Sequence, residues 1–453
     1  VVFYNSLVKY VTHPLIRRRK GLYGIDRFLK EFERQQYFSA DKLKDMQFAK
    51  LKKLIRHAYA TTEYYSRKFD EWGIDPSDIR SPEDVQKLPI LTKKDILENI
   101  SGLISKEYES DDLIASATGG TTGVKINFFY AKDSLAIKQA ATYRAERWTG
   151  WDIGGTRGLI WPAQQDYVGY GSRKEKIRNA LSERQVVLPA AILDEEKIAK
   201  YIDALKSKKP KMIRGFPNAM SIVADYILQK NIKLNFESNV ISTGEPLQAH
   251  QRKSFEKVFH GQVFNSYSAR EVALIGQECE RHDGLHINME CNFVEFVDKD
   301  NGTWVKSGEI GDIIITDLLN YGMPFIRYQI GDVGIPDSKL CPCGRGLELF
   351  GGVEGRDADI FKLRGGKKVS AITLVLYLVD NGPMVGKVQI IQDAIDHLRI
   401  KITDDPMPDK EIFEYYEKTV AGLLGDEMKI SFEVVKDIPT EKSGKYRFTK
   451  CEI

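Results

Sequence analysis

The segment SATGGTTGVKI, residues 116–126, gathers three glycines, three threonines and a lysine into one short run. Glycines let the backbone turn so that successive N–H groups converge on an anion. Threonine hydroxyls add donors, and a helix following such a loop would add its positive end. On these residues the run is a phosphate cradle or a polar surface loop. A P-loop needs a glycine, four residues and then Gly-Lys-Ser/Thr. Counting from Gly119, the sixth position is Val124 where the second glycine is needed, so Lys125 has no glycine before it, and Ile126 replaces the hydroxyl that would hold magnesium. That disfavours a P-loop NTPase, and the spacing does not fit a dinucleotide fingerprint either.

A second chemical pattern lies in the cysteines. Cys279 and His282 form a C-x₂-H pair, and Cys341 and Cys343 form a C-x-C pair. If the pairs meet in space they make a tetrahedral Cys₃His site, with His286 as the substitute ligand should His282 point away. All four positions would be filled by protein, so the metal would be structural zinc. The alternative is buried free thiols beside a surface histidine. Cys291 and Cys451 complete a set of five, too few for a disulfide framework in a chain of 453 residues, so a reducing cytoplasm is the expectation.

These groups need elements to position them. The first hundred residues read as helical. In DKLKDMQFAKLKKLIRHAYATTEYYSRKF, Leu43, Met46, Leu51, Leu54, Ile55 and Ala58 recur at helical spacing behind Ser39 as N-cap. Further starts fall at Ser81 and Thr92. From about residue 115 the pattern becomes α/β: GLIW, MIRGF, NVIST and QVFNSYS read as buried strands, with EEKIAKYIDALKSK and NAMSIVADYILQK as helices between them. A β-rich stretch from residue 292 to 336 suggests a small β subdomain. The remainder alternates short strands with the helix KEIFEYYEKTVAGLLG. The expected architecture is α/β: a large multi-layer domain, with a helical part (1–114) and a core (115–356), followed by a small mobile α+β domain (357–453).

Bulk properties narrow the class. Apolar residues make up 42% and charged residues 29%, as in soluble globular proteins, and a net charge of +3 gives no reason to expect nucleic acid. No apolar run reaches membrane-spanning length, and the N-terminus lacks the continuous apolar centre and cleavage site of a signal peptide. The stretch VVFYNSLVKYVTHPLIRRRKGLYG mixes apolar, aromatic and basic residues. It either packs on the body of the protein or touches a membrane surface.

The glycine-rich run, with Gly-Thr-Thr-Gly at 120–123, resembles the phosphate loop of adenylate-forming enzymes. Other segments resembling that superfamily follow in order: ISTGEPL (241–247), NSYSAREVALIGQE, IRYQIGDVGIP, EGRDADIFKLRGG and IPTEKSGKYRF. Within the superfamily the chain resembles the phenylacetate–CoA ligase-like branch with its capsule-biosynthesis relatives, through KLKKLIRHAYATTEYYSRKFDEWGIDPSDIRSPEDVQKLPILTKKDI and QECERHDGLHIN. The resemblance covers nearly the whole chain.

It implies ATP-dependent conversion of a small carboxylic acid to an acyl-adenylate with release of pyrophosphate, then transfer to a second nucleophile, CoA or an amine, sugar or carrier protein. A degenerate, non-catalytic scaffold is the third reading. By resemblance, Thr118, Gly119, Gly120, Thr121, Thr122 and Gly123 hold the ATP phosphates, Thr121 with a catalytic share, while Lys125 either adds a charge to the phosphates or points out. Gly244 and Glu245 line the acyl side. Ser266, Tyr267 and Ser268 face the nucleotide, with Tyr267 stacked on adenine. Glu271 coordinates Mg²⁺, Asp332 accepts from the ribose hydroxyls, Arg356 lies near the nucleotide, and catalytic Lys445 arrives on a mobile loop. Some members of this branch also carry such a zinc site. Two positions depart from the pattern: Lys125 stands where a proline is usual, and Ala358 where the hinge carries an aspartate.

Overall fold

The structure is a computed structural model that describes residues 2–117, 126–162, 172–298, 301–354, 360–366, 368–380, 382–383, 385–404, 407–439 and 448–453. The residues expected to form the phosphate loop, Thr118 to Gly123 and Lys125, those expected at the hinge, Arg356 and Ala358, and Lys445 lie outside them. Two compact units interleave along the chain: residues 1–117, 126–153 and 264–354 form one, and residues 118–125, 154–263 and 355–453 the other.

In the first unit the long helix Ala40–Thr61 begins where Ser39 Oγ accepts the Lys42 N–H. Its buried face carries Leu43, Leu51, Leu54, Ile55 and Ala58, as the spacing predicts. Met46 is not among the buried residues. Its neighbour Gln47 takes that place, because the Gln47 amide donates to the buried Asn292 carbonyl at 2.6 Å. Thr92 closes a capping box on the helix Lys93–Glu98, and Ser81 heads a 3₁₀ turn, Pro82–Lys87. Seven strands follow one another across the sheet in the order Asn292–Val297, Gly311–Asp317, Tyr328–Asp337, Leu349–Glu354, Leu285–Ile287, Ala273–Glu278 and His260–Ala269. Each neighbouring pair is antiparallel.

The helix Lys132–Arg147 is held in this unit by buried charges as well as by apolar packing. Arg144, 1% exposed, donates to Glu290 Oε1 at 2.9 Å and to Asn288 Oδ1 at 3.1 Å. Lys138 meets Asp317 at 2.5 Å, both buried. Such pairs specify one docking of helix on sheet, since any slip strands a charge away from water.

In the second unit the strands Ser238–Thr243, Met212–Gly215, Arg157–Trp161 and Gln185–Pro189 are parallel neighbours in that order. Helices Glu195–Lys208, Pro217–Gln229 and Ala249–Phe259 alternate with them, the α/β pattern read from the sequence. The C-terminal part has its own core around Phe361, Val388, Ile400 and Tyr416. There Lys429–Val435, His397–Thr403, Val388–Ala394 and Thr449–Cys451 form a mixed sheet with the helix Lys410–Leu424. AITLV is the helix Ala371–Val375, and Leu376–Asp380 continues it as a π-helix.

Replacing Arg144 by Met leaves Glu290 buried without its cation. We expect a loss of about 3–5 kcal/mol, read as a lower urea midpoint at unchanged slope, with partial recovery in the Arg144→Met/Glu290→Met double variant. A single variant as stable as the parent contradicts this.

Candidate functional site

The strands His260–Ala269 and Ala273–Glu278 form a hairpin in which Ala269 pairs with Ala273, leaving Arg270, Glu271 and Val272 as the turn. The hairpin register slips between Tyr267 and Ser268, a bulge that re-aims the side chains on that edge. Opposite Tyr267 stands Gly276, where a Cβ would come within 2.6 Å of the Phe350 ring. The glycine lets Phe350 back the Tyr267 ring edge-on, at 6.2 Å between centroids. The turn closes on Ala273 at φ +66°, a left-handed conformation that costs a non-glycine residue of order 1–2 kcal/mol.

Glu271 sits at the tip of this turn and is nonetheless buried. Burial raises its pKa, against the hydrogen bonds of its own backbone and Tyr328 and the nearby Lys93 charge. Tyr328 Oη donates to Glu271 Oε1 at 2.9 Å. The partner strand is held just as firmly. Arg327 adopts φ +53° and is fixed by Glu295, at 3.1 Å from Nε to Oε2, and by the carbonyls of Gln86 and Leu88. Leu91 bridges the same backbone, donating to the Arg327 carbonyl and accepting from the Gln329 N–H. Gly331, at φ +97°, then turns the chain into Asp332. Tyr267 Oη donates to Asp332 Oδ2 at 2.8 Å. Two tyrosines and two carboxylates thus bond crosswise, each strand system donating a phenol to the other's carboxylate.

The remaining expected residues distribute as follows. Ser266 is buried, and its Oγ has no hydrogen-bond partner among the described residues. Ser268 is half-buried on the same strand. Gly244, at φ +83°, lies so close to Phe216 that a Cβ would come within 2.5 Å of its ring. Phe216 is edge-on to Trp161 at 4.8 Å. The Glu245 carboxylate accepts the Asn218 N–H at 3.0 Å in the first turn of Pro217–Gln229, where a negative charge suits the helix end. The glycine-rich run joins the antiparallel strands Leu113–Ala117 and Asn127–Ala131, with Ala117 paired to Asn127. A strand follows the run directly, and the next helix starts at Lys132. The bulky β-forming NFFYA explains why.

The cysteine cluster assembles with one change. Ligand atoms of Cys279, His286, Cys341 and Cys343 lie within 4.8 Å of one another. Cys279 Sγ is 3.6 Å from Cys341 Sγ, and Cys343 Sγ is 3.4 Å from His286 Nε2. Zn–S bonds of about 2.3 Å put tetrahedral ligand atoms about 3.8 Å apart, so the four donors fit a tetrahedral ion. His286 Nδ1 is 3.4 Å from the Leu347 carbonyl, which orients the ring with Nε2 toward the sulfurs. Backbone N–H groups of Arg281 and Arg345 point at the sulfurs of Cys279 and Cys343. Burial pushes the Cys279 thiol up to about 12 and His286 down to about 4.

Of the two candidate histidines, the structure brings His286 and not His282 to the sulfurs. His282 sits in a turn at φ +56°, packs edge-on against Phe264 and lies 3.1 Å from Glu278 Oε2. His286 instead pairs with Gln277 on one side and Leu349 on the other. That strand order brings the segment after Glu278 beside the loop before Leu349.

Comparison with known proteins agrees with this architecture. A family model described as the CapK C-terminal domain matches residues 363–452. The phenylacetate–coenzyme A ligase of Thermus thermophilus is 26% identical over 345 residues, spanning 72% of this chain and 73% of its own. Protein CapK of Staphylococcus aureus is 24% identical and spans 99% of this chain and 96% of its own. The crystal structure of 2-hydroxyisobutyryl-CoA ligase with 2-HIB-AMP and CoA, in the thioesterification state, superposes with a TM-score of 0.64 at 20% identity, over 92% of each chain. The fold is that of the adenylate-forming ligases. More narrowly, the chain is a homologue of the phenylacetate–coenzyme A ligases and of CapK, and residues 363–452 resemble the CapK C-terminal domain.

Proposed function

We propose that this protein activates a carboxylic acid with ATP, releasing pyrophosphate, and passes the acyl group from the acyl-adenylate to coenzyme A. The observation that carries the reading is the crossed set of Tyr267, Asp332, Glu271 and Tyr328, at the positions where the sequence resembles the nucleotide-binding segments of adenylate-forming enzymes. The Tyr267 ring, backed by Phe350, is a flat surface suited to adenine. Asp332, at the rim of the same group, would accept from ribose hydroxyls. Glu271 would hold Mg²⁺ as a hard carboxylate oxygen. When bound, that ion neutralises phosphate charge as the leaving group departs. Its charge would also offset the burial that raises the Glu271 pKa. Thr118 to Gly123 and Lys125 would cradle the phosphates, and Lys445 would add a cation to the developing charge. Gly244, with Phe216 and Trp161, would bound the acid side.

A second reading keeps the adenylation and changes the acceptor to an amine, a sugar or a carrier protein. For the cysteine cluster we propose a structural Zn²⁺ held by Cys279, His286, Cys341 and Cys343, pinning the end of the hairpin strand to the loop before Leu349–Glu354.

Carboxylate-dependent ATP–pyrophosphate exchange tests the first half-reaction. A screen across aryl, hydroxy and fatty acids is expected to find exchange that Lys445→Ala abolishes while ATP binding persists. Normal exchange in that variant sinks the Lys445 assignment, and no exchange with any acid favours the scaffold reading. Thioester formation with free CoA, set against candidate amines, separates the acceptors. For the metal, the purified protein is expected to hold about one equivalent of zinc. His286→Ala should lose it and lower the melting temperature, while His282→Ala keeps it. The reverse ranking would return the ligand role to His282.

A further inference from the structure

The first helix of the chain is amphipathic in the wrong sense for a surface helix. Residues 2–19 run as Val2–Leu7, a π-helical turn Val8–Thr12 and His13–Arg19. The wide turn lies just before Pro14, whose missing N–H and ring would break a regular helix. The side facing its own unit is pinned largely by polar groups. Lys9 Nζ meets Asp152 at 2.6 Å, while Arg17 donates to Tyr143 Oη at 2.7 Å and His13 Nε2 lies 3.1 Å from the same oxygen. Val8, His13 and Arg17 are buried. The opposite side presents Phe3 at 83% exposure, Tyr10 at 69%, Leu15 at 54%, Val11 at 46% and Leu7 at 36%. Spaced by three or four residues, these form one stripe about 18 Å long. Because the inner face is fixed, the helix cannot roll to hide it.

Charge decides what covers the stripe. No acidic residue precedes Asp26 in the chain, and Arg18, Arg19 and Lys20 are exposed where the stripe ends. Tyr23, 65% exposed, follows them. Apolar side chains for the acyl boundary, aromatic rings for the headgroup level and a basic cluster for anionic phosphates are the three demands of a bilayer surface. Among the described residues no helix is long and apolar enough to cross a membrane, so the segment would lie on the surface. An anionic lipid surface answers the apolar stripe and the basic end together.

We propose that this stripe and its basic end dock the protein on an anionic phospholipid surface. Phe3, Leu7 and Leu15 insert their side chains, while Arg18 and Arg19 meet the headgroup phosphates.

Flotation of the full chain with phosphatidylcholine vesicles, with and without phosphatidylglycerol, tests it. Binding is expected to the anionic vesicles only and to weaken as salt is raised. Phe3→Ser/Leu7→Ser/Leu15→Ser and, separately, Arg18→Gln/Arg19→Gln should each weaken binding more than about tenfold. Melting temperature and nucleotide binding should stay unchanged, since all five side chains are exposed. Absence of vesicle binding by the parent, or binding by both variants equal to the parent's, overturns the proposal. So does concentration-dependent dimerisation that the triple serine variant abolishes, which would assign the stripe to a second copy of this chain.

Discussion

Two phenol–carboxylate hydrogen bonds, Tyr267 to Asp332 and Tyr328 to Glu271, hold the candidate site together. Each ties the hairpin that carries Tyr267 and Glu271 to the strand that carries Tyr328 and Asp332. Neither bond survives a one-residue slip, because successive side chains on a strand face opposite sides. Much of the surrounding structure serves to prevent that slip. The bulge at Tyr267/Ser268, the left-handed Ala273, the left-handed Arg327 and Gly331 set the backbone on either side. Left-handed non-glycine residues persist only where their surroundings over-determine them. Around Arg327 the cause is visible: Glu295, two carbonyls and the Leu91 bridge hold it in place.

Farther along the same unit, the cysteine cluster solves a related problem. The segment after Glu278 and the loop before Leu349 each need an anchor, and the strand Leu285–Ile287 lies between their neighbours in the sheet. His286 is the residue of that strand whose ring meets the sulfurs. Arg345, at 3.1 Å from both Gln36 and Glu280, packs over Trp148 beside this cluster, and Arg144 stacks on the same indole. The cluster and the buried Arg144–Glu290 pair therefore lock one region of the helix–sheet contact.

Local features of this fold were legible in the sequence. EEKIAKYIDALKSK is the helix Glu195–Lys208, and GLIW, NVIST and QVFNSYS all fall inside strands, because buried parallel and hairpin strands leave continuous apolar runs. Ser39 and Thr92 announced their helices by capping chemistry that involves only neighbours. What depends on distant pairing was not legible. The spacing Cys279-x₂-His282 favours His282, and only the placement of strand Leu285–Ile287 selects His286. Tyr328 drew no attention of its own, since its partner is Glu271, in another hairpin. Met46 and Gln47 exchanged places because a buried carbonyl of Asn292 needed a donor. For the N-terminal stretch the sequence left packing on the body and contact with a membrane surface open, and the inward polar pins on Tyr143 and Asp152 show which side faces outward.

If the crossed bonds organise the site, Tyr328 acts through Glu271 and not on substrate. The most direct measurement is the Mg²⁺ dependence of ATP–pyrophosphate exchange in Tyr328→Phe, paired with calorimetric titration of Mg²⁺ into the nucleotide-bound protein. The account predicts a protein that folds as before and binds ATP, but needs roughly tenfold more Mg²⁺, the worth of one hydrogen bond to a charged group. Mg²⁺ curves that coincide with the parent's in both experiments would contradict it.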